Sequence, residues 1–398
     1  MSKRSAEEVI VTDVELQVAE DFKNQRITRQ QFLFKATVLG FSLSTISTII
    51  AACGGGSSGG QNSVTWVSPR GTLEVIDDYP YWVAKHFDWF GDIKTFLEPG
   101  PQEATATTKL VATNKADMGY PSPGVFSLAL EAEVPLISVF NVEDLDTFNF
   151  AFPKGRGYTN LEELAGKRIV LGSAGWEAIC DPEFAQLGID PSSNNYVEAG
   201  ETWGQALAQG KADAALSWEG LRAQWKGQGL DFDYLLGKNF SRFPANSFVV
   251  READLEDEAL RDLYTRYLQG WAMGLEFAHR NPRAATQITM KQFPALKKQM
   301  TPSVAVESLM QLDFIRRGDW KNRKGWGWHA FKSYGVFFET IAELGQVAKK
   351  FDPSKVLSNN LISGANDFDS EEIRKATKEF QLAPEYEEVN VEEIARNI

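Results

Sequence analysis

The sequence predicts an α/β protein of two lobes, each a mainly parallel sheet flanked by helices, with a ligand cleft between them. Three observations predict it. Short β-branched and aromatic runs alternate with segments of helical period, and they do so twice in series. Beyond Asp254 the chain turns helical, with the last helix ending at Phe380. The 398 residues, 43% hydrophobic and only 24% charged, supply core for more than one compact unit.

In the first cycle, Val64–Val67 reads as a strand closed by Ser68-Pro69-Arg70-Gly71, and Tyr81–Phe90 as a helix with Trp82, Val83, Phe87 and Phe90 at helical spacing. Strands at Ile93–Leu97, Ala116–Tyr120 and Leu136–Phe140 then alternate with helices at Glu103–Thr113 and Val125–Glu131. A second cycle starts near Phe148. Thr159 or Asn160 can cap a short helix carrying Glu162 and Glu163 in its first turn. Strands at Lys167–Leu171, Asn195–Val197 and Ala212–Trp218 alternate with helices at Glu177–Leu187, Trp203–Gln209 and from Glu219 to Trp225, and Asn246–Arg251 is a late strand. In the helical end, Leu260, Leu263, Tyr267, Trp271, Leu275 and Ala278 form one stripe that stops at Asn281-Pro282. Helices follow at Arg283–Gln292, Pro302–Phe314, Ala330–Leu344 and Ser370–Phe380. The expected division is lobe 1 at 62–147 plus 249–383, lobe 2 at 148–248, and an acidic, weakly periodic tail at 384–398.

The charge sum, 41 basic against 54 acidic residues for a net of −13, argues against a phosphate-gripping nucleic-acid protein, since there is no basic surplus to displace counterions. Two cysteines and three histidines cannot build a disulfide framework or a zinc finger. No His-Glu-x-x-His pair, strand-following Gly-x-Gly-x-x-Gly or Gly-x-Ser-x-Gly elbow occurs. The string Gly204 to Ala212 is one residue too long for a phosphate loop and has Ala where a metal-binding hydroxyl belongs. Cys180 reads as a small buried hydrophobe. The residues call for no catalytic machinery, metal or cofactor.

At the N-terminus, Arg29–Lys35 precedes an uncharged stretch of 17 residues, Ala36–Ala52, that ends at Cys53 before the Gly/Ser tract through Gly60. This is the layout of a secretory signal. It resembles a bacterial lipoprotein signal, which implies removal of residues 1–52, lipidation of Cys53, a flexible tether at 53–61, and a body anchored to the outer face of the cell membrane. The run Thr28–Leu33 also resembles a twin-arginine signal with one arginine missing, so the export route stays open.

The predicted C-terminal strand ends carry rings and small polar residues: Trp66 with Ser68, Tyr120 with Ser122, Ser173 with Trp176, and Trp218 with Glu219, while Tyr79 and Tyr81 flank Pro80. Rings on both walls of a slot suit a flat ligand, and the amides at Ser173-Ala174-Gly175 suit a carbonyl, ring nitrogen or anion. Four strings, YWVAKHFDWF at Tyr81–Phe90, LVATNKADMG at Leu110–Gly119, LEELAGKRIV at Leu161–Val170 and ALAQGKADA at Ala206–Ala214, are joined by AHRNPRAA at Ala278–Ala285. In this order the chain from Val64 to Leu361 resembles solute-binding proteins of ATP-driven (ABC) importers. The resembling group takes thiamine-pyrimidine precursors, riboflavin, alkanesulfonates or nitrate, and has the type II periplasmic-binding-protein fold.

The resemblance implies that the lobes close on one small molecule and dock on a membrane permease with its ATPase. It implies a ligand site at Trp66, Ser68, Tyr79, Tyr81, Tyr120, Ser122, Ser173, Gly175, Trp176, Trp203, Trp218, Glu219 and Asn246, in a monomer without nucleic acid. Rings and a carboxylate at these loops favour a heteroaromatic, vitamin-like solute over a sulfonate or nitrate. The segments Lys324–Trp328 and Ser358–Ile362 resemble the pyrimidine and riboflavin branch. An organic-anion binder, and an extracytoplasmic enzyme on the same fold, are the alternatives. The Cys/His-rich segment of pyrimidine synthases is missing, which disfavours the enzyme.

Overall fold

The computed structural model describes residues 62–100 and 104–398. The expected signal segment, the Cys53 lipidation site and the tether lie outside the described residues. Residues 62–398 form one compact unit.

Two five-stranded sheets organise this unit. The first holds β1 (Ser63–Val67), β2 (Lys94–Glu98), β3 (Met118–Gly119), β4 (Leu136–Asn141) and β10 (Ser247–Arg251), in the order β2-β1-β3-β10-β4. The second holds β5 (Phe148–Pro153), β6 (Arg168–Leu171), β7 (Asn195–Glu198), β8 (Ala214–Trp218) and β9 (Phe232–Leu236), in the order β7-β6-β8-β5-β9. β1 pairs parallel with β2 and β3, and β6 pairs parallel with β7 and β8. In each sheet the fourth strand runs against its neighbours: β10 is antiparallel to β3 and β4, and β5 is antiparallel to β8 and β9.

This layout of two mixed α/β sheets is the predicted two-lobed fold, with one refinement. The reversed strands are the two on which the chain changes lobes: β5 enters the second sheet directly after β4, and β10 returns to the first. A strand that arrives from the other lobe comes from the opposite end of the sheet, so it must run backwards. Sequence reading assigned no strand to Phe232–Leu236 or Phe148–Pro153. Both are apolar runs broken by polar residues, and their pairing within the second sheet makes them recognisable.

Helices cover both faces. Helix Glu258–Arg280 starts at Asp257, whose carboxylate accepts hydrogen bonds from the Ala259 and Leu260 amides. Its apolar stripe buries Tyr267, Leu268 and Trp271 against β1 and helix Tyr79–His86. That second helix comes very close. A methyl at Gly274 would overlap the Pro80 backbone, and one at Gly270 would lie 2.6 Å from the Phe90 ring, so these two positions need the missing side chain. The acidic tail departs from expectation. It forms short helices at Pro384–Glu387 and Val391–Arg396, and Tyr386 and Val389 join the first core, because the amphipathic segments find apolar surface there. No helix among the described residues is long and apolar enough to cross a membrane.

Candidate functional site

The C-terminal ends of β1, β3, β6 and β8 face one cavity, which encloses about 650 Å³ of empty space with its mouth included. This edge is where open α/β sheets place ligands. Trp176 and Trp218 form its ring-bearing wall with Phe148, at the start of β5, and Tyr120 follows β3 on the opposite side. The strand register presents Trp218 there. It is the last residue of β8, half-buried, opposite Phe148 on β5.

A tryptophan cluster braces this wall. Trp203 stacks on Trp218 with ring centres 5.8 Å apart and 25° between planes, and it meets Trp176 edge-on at 5.5 Å. The Trp203 indole N–H donates to the Leu216 carbonyl at 2.8 Å, so its polar atom is satisfied inside the lobe. Such aromatic pairs add about 0.5–1.5 kcal/mol each beyond their burial.

The polar wall comes mostly from residues that sequence reasoning did not single out. Arg70 ion-pairs with Asp78 and stands 3.7 Å from Asp77. Although burial opposes its charge, Asp78 and Asp77 hold the guanidinium pKa above its ordinary value. Burial raises the Asp78 pKa, and Arg70 pulls the other way. Glu143, 4% exposed, follows β4 and lies 3.7 Å from the buried Arg316. Burial raises its pKa too, against the pull of Arg316. Asn246 donates its side-chain amide to the Tyr120 carbonyl at 3.2 Å, leaving its Oδ1 without a protein donor. The Thr147 hydroxyl and Arg70 Nε are likewise buried and unpartnered on the cavity wall. The cavity therefore presents at least one spare acceptor and two spare donors among buried polar atoms.

Of the residues expected at the site, Tyr120, Ser122, Trp176, Trp218 and Asn246 line the cavity. Ser122 has a local task as well, because its hydroxyl accepts the Val125 amide and caps helix Pro123–Glu131. The others lie elsewhere. Trp66 is fully buried against Tyr120, Phe248 and Trp271, since its strand face meets helix Glu258–Arg280. Tyr81 points into the same core and bonds Thr95. Tyr79 is buried beneath the Arg316 guanidinium, 4.8 Å from its ring centre. Ser68 shapes the β1 turn by accepting the Arg70 amide.

Ser173 precedes the turn Ala174–Trp176 and is 8% exposed. Gly175 has a packing reason rather than a place on the wall: a methyl there would lie 2.7 Å from the Ala104 methyl of the first lobe. Trp203 sits behind the wall. Glu219 is the clearest correction. It is fully buried and held by Arg222 at 2.9 Å and Lys238 at 3.1 Å, so its carboxylate is spent inside lobe 2. The carboxylates on the cavity are Asp77 and Glu143. The Asp77-Asp78 pair before a helix and the Arg in the β1 turn were the available signals for this charged wall.

Cys180 is free and buried, as expected of a small hydrophobe, and burial pushes its thiol pKa well up. No group of three or more His, Cys, Asp or Glu among the described residues is arranged to hold a metal ion.

A two-lobed α/β body with a ring-walled cavity at facing strand ends defines the periplasmic-binding-protein class of fold. Within it, the chain belongs to the NMT1/THI5-like family, whose profile matches residues 77–285. Solved structures agree on the fold. The alkanesulfonate-binding protein SsuA from Xanthomonas axonopodis pv. citri is 11% identical with a TM-score of 0.59, covering 76% of this chain and 99% of its own. The aliphatic sulphonate binding protein SsuA from Escherichia coli is 12% identical with a TM-score of 0.56, covering 75% and 92%. The nitrate-binding protein NrtA from Synechocystis PCC 6803 is 11% identical with a TM-score of 0.53, covering 76% and 88%. No curated protein matches the chain.

Proposed function

We propose that this protein is the substrate-binding component of an ABC importer, and that it captures a small, flat heteroaromatic solute of the riboflavin or thiamine-pyrimidine type for delivery to a membrane permease. The observation that carries the reading is the wall of Trp176, Trp218 and Phe148 opposite Tyr120, with an unpartnered Asn246 carbonyl and Thr147 hydroxyl between them. Rings bury a flat ligand on its faces, while the spare acceptor and donors read its edge. Such a solute carries both N–H donors and ring-nitrogen or carbonyl acceptors.

The charges beside the cavity support a neutral ligand over an oxyanion. Arg70 is engaged by Asp77 and Asp78, and Glu143 adds a further buried carboxylate. An anion there would face more negative than free positive charge. The sulfonate reading keeps one argument, that Arg70 lines the cavity in a fold shared with a sulfonate-binding protein solved with MOPS. We read the protein as a monomer, tethered to the outer face of the membrane through lipid on Cys53, and not as an enzyme.

Titration of the purified chain with riboflavin, hydroxymethylpyrimidine, a simple alkanesulfonate and nitrate, followed by tryptophan fluorescence, tests the ligand. The proposal expects one of the first two to saturate well below millimolar with quenching of the Trp176–Trp218 cluster. Saturation by the sulfonate alone selects the second reading. A Cys53→Ser variant that stays membrane-bound removes the lipid anchor from the proposal.

A further inference from the structure

On one flank of the cavity the two lobes are joined by buried polar groups. Asp77, from the loop after β1, accepts the Trp218 indole N–H at 3.1 Å on one oxygen and the Gln224 amide at 3.1 Å on the other. Gln224 reaches on to the Ser308 hydroxyl at 3.2 Å. Ser308 and Gln311 lie on helix Pro302–Arg317, whose Val306, Leu309 and Leu312 belong to the core of the first sheet. Together they grip the turn at Gly220 in the second lobe: Ser308 donates to the Gly220 carbonyl at 2.9 Å, and Gln311 accepts its amide at 3.0 Å. Gly220 has φ +86, and a methyl there would lie 2.8 Å from Leu312, so this position needs glycine on both counts.

We propose that these six residues form a latch that holds the lobes closed through protein–protein bonds alone, with the ligand adding to the closed state instead of creating it. Three features argue for it. Gln224, Ser308, Gln311 and Gly220 are not on the cavity wall, so a ligand does not complete their bonds. Ser308 and Gln311 are fully buried, and Asp77 and Gln224 nearly so, which makes each bond expensive to leave unmade. The seam also brings apolar groups together, Leu312 against Gly220 and Val304 against Gly227, which adds to the hold. Water can satisfy the polar groups of the six residues on opening, so the latch is releasable. A protein whose closed form is already populated without ligand binds with less conformational loss. The Asp77–Trp218 bond ties the latch to the ring wall.

The test needs no knowledge of the ligand. Hydrogen exchange at the Gly220 amide of the full chain, with nothing added, reports opening of the seam, since that amide is bonded across it. The latch predicts exchange at least about a hundredfold slower than for an unstructured peptide, with Gln224→Met and Ser308→Ala each speeding it by about tenfold or more. Amides of β4 and β6 should keep their protection in both variants, which separates opening from unfolding. Exchange of the wild-type Gly220 amide near the unstructured rate overturns the proposal, and this arm stands even if a variant does not fold. Unchanged exchange in both variants overturns it as well. Failure of every solute in the titration above would bear on the proposed function and leave the latch intact.

Discussion

Trp203 lies flat against Trp218 in the second lobe, 5.8 Å between ring centres, and the two have opposite fates: Trp203 is 7% exposed behind the wall, while Trp218 is half-buried on it. The same ring type therefore serves the fold at one position and the cavity at the next.

Substitution should separate these roles. Trp218→Ala is expected to weaken ligand binding by about 2–4 kcal/mol, as buried aromatic anchors do. Trp203→Ala should lower unfolding stability by about 3–5 kcal/mol through the cavity it leaves. Calorimetric titration and urea denaturation of both variants check this. A Trp218→Ala protein that loses stability and keeps affinity would assign that ring to the core.

Gly124 and Ala178 mark the opposite flank. A methyl on Gly124 would overlap the Ala178 carbonyl across the lobes, while Gly124 itself sits in the first turn of a helix where alanine is favourable. Gly124→Ala should weaken ligand affinity by about tenfold or more and, because the lobes rest closed, speed exchange at the Gly220 amide while the amides of β4 and β6 stay protected. A fall in the midpoint with unaltered affinity would contradict a closure contact.

Arg316 and Glu143 are 1% and 4% exposed, and Arg316 also covers the Tyr79 ring. Replacing Arg316 by Met strands the carboxylate, so a loss of about 3–5 kcal/mol is expected in urea denaturation at pH 7. Adding Glu143→Gln to that variant should recover part of it, because the stranded charge is then gone.

His329 is buried, with Nε2 2.7 Å from the Ser138 hydroxyl and Nδ1 3.0 Å from the Asn359 side-chain Oδ1. Burial lowers its pKa from 6.5 to about 4. Above pH 6.5 the ring is neutral in both the folded and unfolded chain. Below that value only the unfolded chain takes up the proton, so stability falls until the folded pKa is reached. The loss amounts to about 3 kcal/mol by pH 4. Urea midpoints measured from pH 7 to 4 should show a smaller acid loss in His329→Gln than in the wild type. Parallel curves would remove His329 from the acid response.

Much of the fold was legible because strand and helix periods are local. The stripe from Leu260 to Ala278 faces β1 as its spacing predicts, and the strand-ending Tyr120, Trp176 and Trp218 reach the cavity. Trp66 shows where that reasoning stops. It precedes the strand end by one residue, and alternation across the strand turns it into the core. Glu219 follows Trp218 directly, yet Lys238 and Arg222, met only on folding, take its charge.

The sequence by itself determined the two βα cycles, the helical end and the rings at strand ends, since each depends on residues close along the chain. Tertiary structure alone decided which rings face the cavity, that Arg70, Asp77 and Glu143 form its charged wall, and that the lobes meet through Gly220, Ser308 and Gln311. Those outcomes depend on partners far apart along the chain, 147 residues in the Asp77–Gln224 bond, and no local pattern records which distant group a side chain will meet.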